Sequence, residues 1–226
     1  MLLSGTDKLD DVSKEAYFME LHQTKHGSDL DLLPSPRVLN NHQDFAQQPV
    51  DMLKKQTKVV LVYRNPKDVA VSYFQHIKSH PGATYTGETF RTFLRRFADG
   101  LVVSGFVCDY LREWERGVKG NQNINICVIS YEDLQENPLQ EVRKLSKFLE
   151  KGHDEGFLEK VIQETHIDNM RRVKTGGGNP VRKALYRKGE VGDWKNYFTV
   201  ADSEWFDHII RVRMAGSNMF HFRYDI

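Results

Sequence analysis

The chain of 226 residues suits one sizeable domain, and its 39% hydrophobic content is enough for a buried core. Lys and Arg number 32 against 31 Asp and Glu, a balance that argues against a protein that covers a nucleic acid or another polyanion. Two cysteines are too few for a disulfide framework, and no segment reads as a signal peptide or a membrane span. We therefore expect a single cytoplasmic domain over residues 1–226, without membrane or nucleic-acid contacts.

The predicted elements alternate between strands and helices. Runs of β-branched residues predict strands over Lys58–Arg64 and Ile124–Glu132, and Arg37–Asn41 is a candidate for a third. Apolar residues at helical spacing predict helices over about Lys67–Ser79, Thr89–Val118, Leu139–Leu149, Glu155–Gln163 and Asp202–Ala215. This order is typical of an α/β fold with a parallel sheet, and the apolar run at Lys58–Arg64 predicts a strand buried on both faces.

The segment YRNPKDVAVSY, residues 63–73, suggests a site for an anion. Arg64 ends the first predicted strand and Tyr131 lies at the end of the second, and ligands of open α/β sheets bind at these strand ends. The turn Asn65–Asp68 would then offer a helix N-terminus to a phosphate, with Arg64 as a bidentate partner. The alternative is that Arg64 only caps the sheet edge and Ser72 faces solvent.

A second basic cluster lies in YRKGEVGDWKNYF, residues 186–198. It joins Arg187, Lys188 and Gly189, and it follows TGGGNP (175–180), which we expect to be a mobile loop. Two phosphate-like sites in one α/β domain suggest a nucleotide, although neither the P-loop nor the dinucleotide-binding glycine motif is present. The alternative for this cluster is an ordinary solvated basic loop.

Three segments carry a resemblance to a known family. The sequences KVVLVYRNPKDVAVSYFQH, ISYEDLQENP and RKGEVGDWKNYFTVADSEWFD together resemble the cytosolic sulfotransferases, and the likeness extends over essentially the whole chain. It implies a three-layer α/β fold with a central parallel sheet, similar to P-loop nucleotide-binding folds. It also implies transfer of a sulfuryl group from 3′-phosphoadenylyl sulfate, as co-substrate, to a hydroxyl or amine of a small acceptor such as a phenol, alcohol or steroid.

The resemblance assigns a role to several residues. Those that would bind the donor's 3′-phosphate are Arg64, Ser72, Arg187, Lys188 and Gly189. Tyr131 and Thr165 resemble the contacts to adenine. Where family members usually stack an aromatic residue on the base, this chain has Ile167, a loss of about 0.5–1.5 kcal/mol if aromatic-pair values apply.

The segment SPRVLNNH, residues 35–42, resembles the one that ends in the family's catalytic base, which selects His42. Histidine suits that role because its unperturbed pKa lies near neutrality. Two residues earlier, where many members carry a lysine, this chain has Asn40, and losing such an electrostatic donor commonly costs about 2.7–4 kcal/mol at the transition state.

A further departure from the family is the missing Pro-Lys-Ser-Gly-Thr-Thr-Trp loop, which holds the 5′-phosphosulfate. The opening MLLSGTDKLD resembles the end of the helix that follows this loop, so the first strand and the phosphosulfate loop are expected to be absent. Two explanations stay open. The chain is either a fragment or wrong start of an active enzyme, or a variant that binds 3′,5′-diphosphoadenosine without catalysing transfer.

The resemblance also implies a homodimer. The residues at the spacing of the family's dimerisation motif are Lys195, Thr199, Val200 and Glu204. The alternative is an ordinary helix N-terminus capped by Asp202 or Ser203. The dispersed histidines and the lack of a paired-cysteine motif suggest that no metal is needed.

Overall fold

The computed structural model describes residues 1–9, 18–19, 33, 35–79, 87–176 and 185–226. Within these ranges the sheet consists of two parallel strands, β1 (Val59–Tyr63) and β2 (Ile126–Ser130). They pair in register from Val59 opposite Ile126 to Tyr63 opposite Ser130, so both strands end at the same level. The predicted α/β fold with a parallel sheet is confirmed.

The helices connect and surround the two strands. Their bounds are α1 Asp51–Lys54, α2 Pro66–Ser79, α3 Phe90–Ala98, α4 Val107–Gly120, α5 Tyr131–Glu136, α6 Pro138–Phe148, α7 Glu155–Glu164, α8 Ile167–Thr175 and α9 Val200–Arg213. Short 3-10 turns lie at Phe45–Gln47 and Asp193–Asn196. The five predicted helices are therefore present, but the prediction for 89–118 was wrong in its middle, and α1, α5 and α8 were missed.

The break between α3 and α4 has a clear backbone cause. Gly100 and Gly105 both have positive φ, +71° and +64°, a conformation that glycine adopts without the steric cost of a Cβ atom. The helical spacing of Phe90, Phe93 and Phe97 belongs to α3 alone. Helix α4 then begins after Phe106, whose ring packs edge-on against Phe97.

Two of the three apolar clusters among the described residues hold the helices against β1 and against one another. The first joins α2, α3, α4 and α9, and its largest buried members are Phe74, Phe93, Phe97, Phe106 and Phe206. The second lies on one face of β1, where Leu61 packs with Leu111 and Trp114 of α4 and with Phe220 of the carboxyl-terminal segment. Burying each such side chain stabilises the fold by about 1.5–3 kcal/mol. Together the clusters fix the carboxyl end of β1 beside α2 and α9.

The opposite face of β1 departs from the sequence prediction. Val60 and Val62 are 39% and 55% exposed, whereas a strand buried on both faces would hide them. Arg37–Asn41 also does not form a strand. Its only ladder contact among the described residues is an isolated parallel bridge from Asn40 to Phe18.

Two further expectations concern segments next to residues that the structure does not describe. Residues 2–5 form one turn, closed by a hydrogen bond from the Gly5 N–H to the Met1 carbonyl at 2.9 Å, and the expectation that they end a longer helix stays a prediction. The glycine-rich stretch 175–180 lies outside the described residues from position 177 onward. No helix in the described ranges is long and apolar enough to cross a membrane.

Candidate anion-binding site at the strand ends

The ends of β1 and β2 bring two predicted site residues together. Arg64 follows β1 directly, Tyr131 follows β2, and the guanidinium carbon of Arg64 lies 4.3 Å from the centre of the Tyr131 ring. Burial raises the pKa of Tyr131, and the nearby Arg64 charge lowers it by less, so the phenol keeps its proton at neutral pH. The tyrosine can therefore act as a hydrogen-bond donor beside a fixed cation.

Glu132 connects the ends of the two strands through buried hydrogen bonds. Its fully buried carboxylate accepts hydrogen bonds from the backbone N–H and the side-chain amide of Asn65, both at 2.9 Å. It also accepts from the Ser130 hydroxyl at 2.9 Å. Because hydrogen bonds to a charged acceptor are strong and these are buried, the turn after β1 is fixed relative to the end of β2.

The start of α2 is not the free helix terminus that the sequence suggested. The Asn65 N–H is taken by Glu132, and the Asp68 N–H donates to the Asn65 side-chain oxygen at 2.8 Å. Pro66 has no N–H to offer. The buried Asp68 carboxylate would moreover repel an anion at this point. The expectation that the α2 N-terminus binds the phosphate is therefore corrected. Arg64 remains as the candidate hydrogen-bond donor to an anion.

The loop 185–194 closes over Arg64. The guanidinium donates from Nη2 to the Glu190 carbonyl at 2.5 Å and lies 3.1 Å from Asp68 Oδ2. Its Nε is buried and has no hydrogen-bond partner among the described residues. A buried cationic donor without an acceptor is costly, so this atom favours an anionic or polar ligand at the site.

Arg187 and Lys188 face an internal carboxylate. Both pair with Asp193, whose side chain is 2% exposed. Burial alone would raise the pKa of Asp193, but the hydrogen bonds from Lys188, Asn196 and Arg187 outweigh it and lower that pKa to about 2. Lys188 itself is 39% exposed. The cluster is thus an ordered group of cations held around one carboxylate, which argues against the solvated basic loop.

Gly189 lies against the segment that contains Thr165, a residue predicted to contact adenine. Its φ is +72°, and a Cβ atom built on it would lie 2.8 Å from the Cβ of Ile167. The loop thus touches the segment 165–167 so closely that a side chain at 189 would collide with it. Thr165 caps α7, is exposed, and donates its hydroxyl to the Val161 carbonyl at 2.7 Å.

Arg171 of helix α8 holds the backbone of the loop 185–194 through hydrogen bonds. Arg171 donates from Nε to the Tyr186 carbonyl at 3.0 Å and from Nη2 to the Arg187 carbonyl at 2.5 Å. Its Nη1 pairs with Asp168 at 2.9 Å. A single arginine therefore fixes the backbone on the amino-terminal side of Lys188.

Lys67 secures the other end of the loop. It is 3% exposed, donates to Ser203 at 2.7 Å and to Asp207 at 2.8 Å on α9, and lies 4.3 Å from the centre of the Trp194 ring. Such a buried cation over an aromatic face is worth about 2 kcal/mol. The end of the loop is thereby attached to α2 and α9 together.

Ser72 and His42 do not take part in the contacts described above. Ser72 lies one turn after Asp68 on α2 and its side chain is exposed. His42 is also exposed and packs edge-on against Phe18, with ring centres 5.2 Å apart. Asn40, two residues before it, accepts a backbone hydrogen bond from Met19 at 2.9 Å.

The residues that the sequence did not single out are carboxylates and their partners. Asp68, Glu132 and Asp193 are each 5% exposed or less, and each accepts hydrogen bonds from a different segment of the site. The one available signal was the NPKD turn, since an Asn that precedes a helix and an acid three residues later predict a reciprocal cap. No group of three or more potential metal ligands occurs in the described part of the chain.

Comparisons with known proteins agree on one family. The family described as "Sulfotransferase domain" matches residues 6–218. Human Sulfotransferase 1C2 is 34% identical over 83% of this chain and 64% of its own length. Rabbit (Oryctolagus cuniculus) amine sulfotransferase is 31% identical over 92% of this chain and 70% of its own. The chain thus spans about two thirds of the length of these relatives.

A solved structure agrees with the sequence comparison. The crystal structure of mouse sulfotransferase SULT7A1 complexed with PAP superposes with a TM-score of 0.75 and is 30% identical. The superposition covers 84% of this chain and 69% of the mouse chain.

Proposed function

The chain belongs to the sulfotransferase domain family, and we propose that it binds 3′-phosphoadenylyl sulfate and transfers the sulfuryl group to a small acceptor. The observation that carries the proposal is the convergence of three distant segments at the strand ends. Arg64, Tyr131 and the loop of Arg187 are joined there by direct contacts. We further propose the cytoplasm as its location, which the buried, unpaired Cys108 and Cys127 favour.

The 3′-phosphate would be held by the cationic side of the site. Arg64 supplies its unpartnered Nε, Arg187 and Lys188 supply charge, and Gly189 supplies a backbone segment that carries no side chain of its own. Ser72 would add a hydroxyl one turn further along α2. Arginine suits this role because its planar guanidinium matches phosphate oxygens in pairs.

The adenine would lie between Tyr131 and the segment 165–167. Tyr131 keeps its phenolic proton and can donate it to a ring nitrogen. The Thr165 hydroxyl, which donates to Val161, keeps its oxygen as an acceptor. The contact between Gly189 and Ile167 supports this assignment because it puts the phosphate-side loop next to the base-side segment.

When bound, 3′-phosphoadenylyl sulfate supplies the sulfuryl group. The chain's own contribution to the chemistry would be His42, which takes the proton from the acceptor's hydroxyl or amine at an imidazole nitrogen. The exposure of His42 leaves room for an acceptor beside it. Phenols, alcohols, steroids and amines are all candidates, and the rabbit relative named for amines supports including that class.

The test has a binding part and a transfer part. Isothermal titration with adenosine 3′,5′-bisphosphate is run on this chain and on a version extended at its amino terminus to the relatives' length. Both versions are then assayed with labelled donor and a phenol, a steroid alcohol and an amine. Transfer by either version supports the proposal. Absence of both binding and transfer in the extended version would overturn it.

A second candidate function is recognition of 3′,5′-diphosphoadenosine without turnover. Asn40 favours it, because an uncharged amide stands where a lysine stabilises the transferring group in the resembling family. The candidate predicts that both versions bind the bisphosphate and that neither transfers sulfate to any acceptor. Transfer by the extended version would exclude it for the complete protein.

We propose in addition that the chain forms a homodimer through Lys195, Thr199, Val200 and Glu204. Thr199 caps α9 by accepting from the Asp202 N–H at 3.1 Å, so neither Asp202 nor Ser203 is the cap. Val200 is 76% exposed, as an interface residue would be in a single copy.

Light scattering after gel filtration tests this dimer. Val200→Asp should yield a monomer, whereas Val212→Asp on the same helix, 57% exposed, should leave the dimer intact. A monomeric parent protein at micromolar concentration would contradict the proposal.

A further inference from the structure

We propose that Asp68 is the positioning residue of the anion site. Its carboxylate holds Arg64 and the loop 185–194 in their relative positions. The inference rests on the proposed function, since it explains how that site achieves selectivity for a 3′-phosphate. It predicts that this selectivity depends on a buried acid on α2.

The contacts of the Asp68 carboxylate reach three parts of the site. Oδ1 accepts from the Trp194 N–H at 2.9 Å. Oδ2 accepts from the Gly192 N–H at 2.8 Å and from the Asn65 side-chain amide at 3.0 Å, and it lies 3.1 Å from Arg64 Nη2. The side chain is 0% exposed. One carboxylate thus joins the end of β1, the start of α2 and the loop.

The two loop amides that Asp68 accepts lie on either side of Asp193. Gly192 and Trp194 are the chain neighbours of this residue, so fixing their N–H groups fixes the backbone from which the Asp193 side chain projects. Asp193 in turn pairs with Arg187 and Lys188. Asp68 therefore acts on these two cations through one intervening residue.

Asp68 also limits where Arg64 can point. The same Nη2 that lies by Asp68 donates to the Glu190 carbonyl, and the guanidinium lies over Tyr131. With Nη2 held from two sides, the unpartnered Nε has a fixed direction. Fixed donors bind an anion better than mobile ones because no side-chain entropy is lost on binding.

Only a carboxylate meets these demands. All the groups around Asp68 are donors, so an amide in its place would turn its own N–H₂ group toward one of them. Asp68→Asn keeps the volume of the side chain, removes its charge and puts an N–H₂ group opposite one of the surrounding donors. This substitution therefore tests the positioning role with little change in packing.

A suitable control is Glu115→Gln on α4. Glu115 is 1% exposed, pairs with Arg112 and Lys119, and accepts from the distant Asn218 N–H at 3.0 Å. It is a buried acid with a similar set of partners, and none of its partners belongs to the anion site. Both substitutions should lower the melting temperature by a similar amount.

The deciding measurement is the ratio of affinities for adenosine 3′,5′-bisphosphate and adenosine 5′-phosphate, in parent and variants extended to the relatives' length. Asp68→Asn should reduce this ratio about 10- to 100-fold, the span of one or more charge-assisted hydrogen bonds. Glu115→Gln should leave the ratio unchanged. An unchanged ratio in Asp68→Asn would overturn the inference.

Amide hydrogen exchange separates this inference from the proposed function. In Asp68→Asn the Gly192 and Trp194 amides should exchange at least about tenfold faster, with no ligand present, because each loses a charged acceptor. If they do so while the parent shows no preference for the bisphosphate, the proposed function fails and only the positioning role of Asp68 is supported. Unchanged exchange at both amides would refute that positioning role.

Discussion

The strand-end site and the segment that carries His42 are held in very different ways. At the strand ends, the buried acids Asp68 and Glu132 join distant parts of the chain. Buried Asp193 pairs with two cations of its own loop. The segment 40–48 is held instead by neutral groups, such as the paired amides of Asn41 and Gln48 at 3.0 and 3.1 Å. The region proposed for phosphate binding and the region proposed for proton transfer are therefore held by different kinds of contact.

The largest effect is expected from His42→Ala, which tests whether turnover and nucleotide binding depend on different regions. It should lower turnover by about 10²- to 10⁴-fold, the range for a lost general base, while the affinity for adenosine 3′,5′-bisphosphate stays the same. Steady-state transfer and titration calorimetry on the extended version measure the two effects. His208→Ala, an exposed histidine on α9, is the control and should change neither. If His42→Ala also loses affinity for the bisphosphate, binding and turnover do not depend on separate regions.

Arg187→Ala should give the opposite pattern. Loss of one charge-assisted contact should weaken the bisphosphate affinity by about 10- to 100-fold and leave adenosine 5′-phosphate affinity nearly unchanged. Arg213→Ala provides the control, because Arg213 is an ion-paired surface arginine that faces Asp109 instead of the site. If both variants bind the bisphosphate as the parent does, the loop does not take part in phosphate binding.

A third prediction concerns the contact between Gly189 and Ile167. Gly189→Ala should destabilise the fold by about 1–2 kcal/mol from the positive φ alone, and more from the collision with Ile167. Gly216→Ala has the same strain at φ +74° but nothing within 4 Å of the new Cβ. Denaturant unfolding of both variants therefore isolates the collision. Equal losses would mean that the loop moves away from Ile167 without cost.

A smaller effect is expected from Ile167→Phe. An aromatic ring next to the base should strengthen binding of adenine nucleotides about 2- to 10-fold, in line with about 0.5–1.5 kcal/mol for an aromatic pair. Affinity for inorganic pyrophosphate, which has no base, should not rise. Competition binding with both ligands checks this, and an equal gain for pyrophosphate would show that the base does not lie at this position.

Between pH 5 and 8, the smallest effect of all is expected, that of pH on stability. The pKa of Asp193 falls from 3.8 when unfolded to about 2 when folded, so its ion pairs contribute their full stability above pH 4. That contribution, about 2 kcal/mol, is lost as the pH falls through about 2. Between pH 5 and 8, stability should not change with pH on account of Asp193, and Asp193→Asn should be less stable than the parent throughout this range and should lack the acid limb. Melting temperatures of both proteins from pH 2 to 8 test this.

The sequence predicted what depends on local pattern. The strands that end before Arg64 and Tyr131 were found because β-branched runs are bounded by polar residues, and pairing in register then put both residues at one edge. Whether Arg64, Tyr131 and Gly189 bind the donor stays a prediction. The break at 99–106 was readable from Gly100 and Gly105, but the aromatic spacing before it concealed the change of direction.

What the sequence could not supply depends on long-range contacts. Buried acids such as Asp68 look like solvated surface residues in the sequence, because burial is decided by segments more than a hundred residues away. The exposed face of β1 was missed for the same reason. An apolar run shows that Val60 and Val62 can be buried, and only the fold shows that they are 39% and 55% exposed.

The position of Trp194 gives the site an optical reporter of its own. Its indole lies over the Lys67 ammonium and donates to the Tyr224 carbonyl at 3.2 Å, while its backbone is held by Asp68. The other two tryptophans, Trp114 and Trp205, lie in the β1 cluster and on α9 beside Arg95. Any rearrangement of the loop changes the field across the Trp194 ring. A shift in its emission, assigned through Trp114→Phe and Trp205→Phe variants, would therefore follow loop closure in real time without a dye.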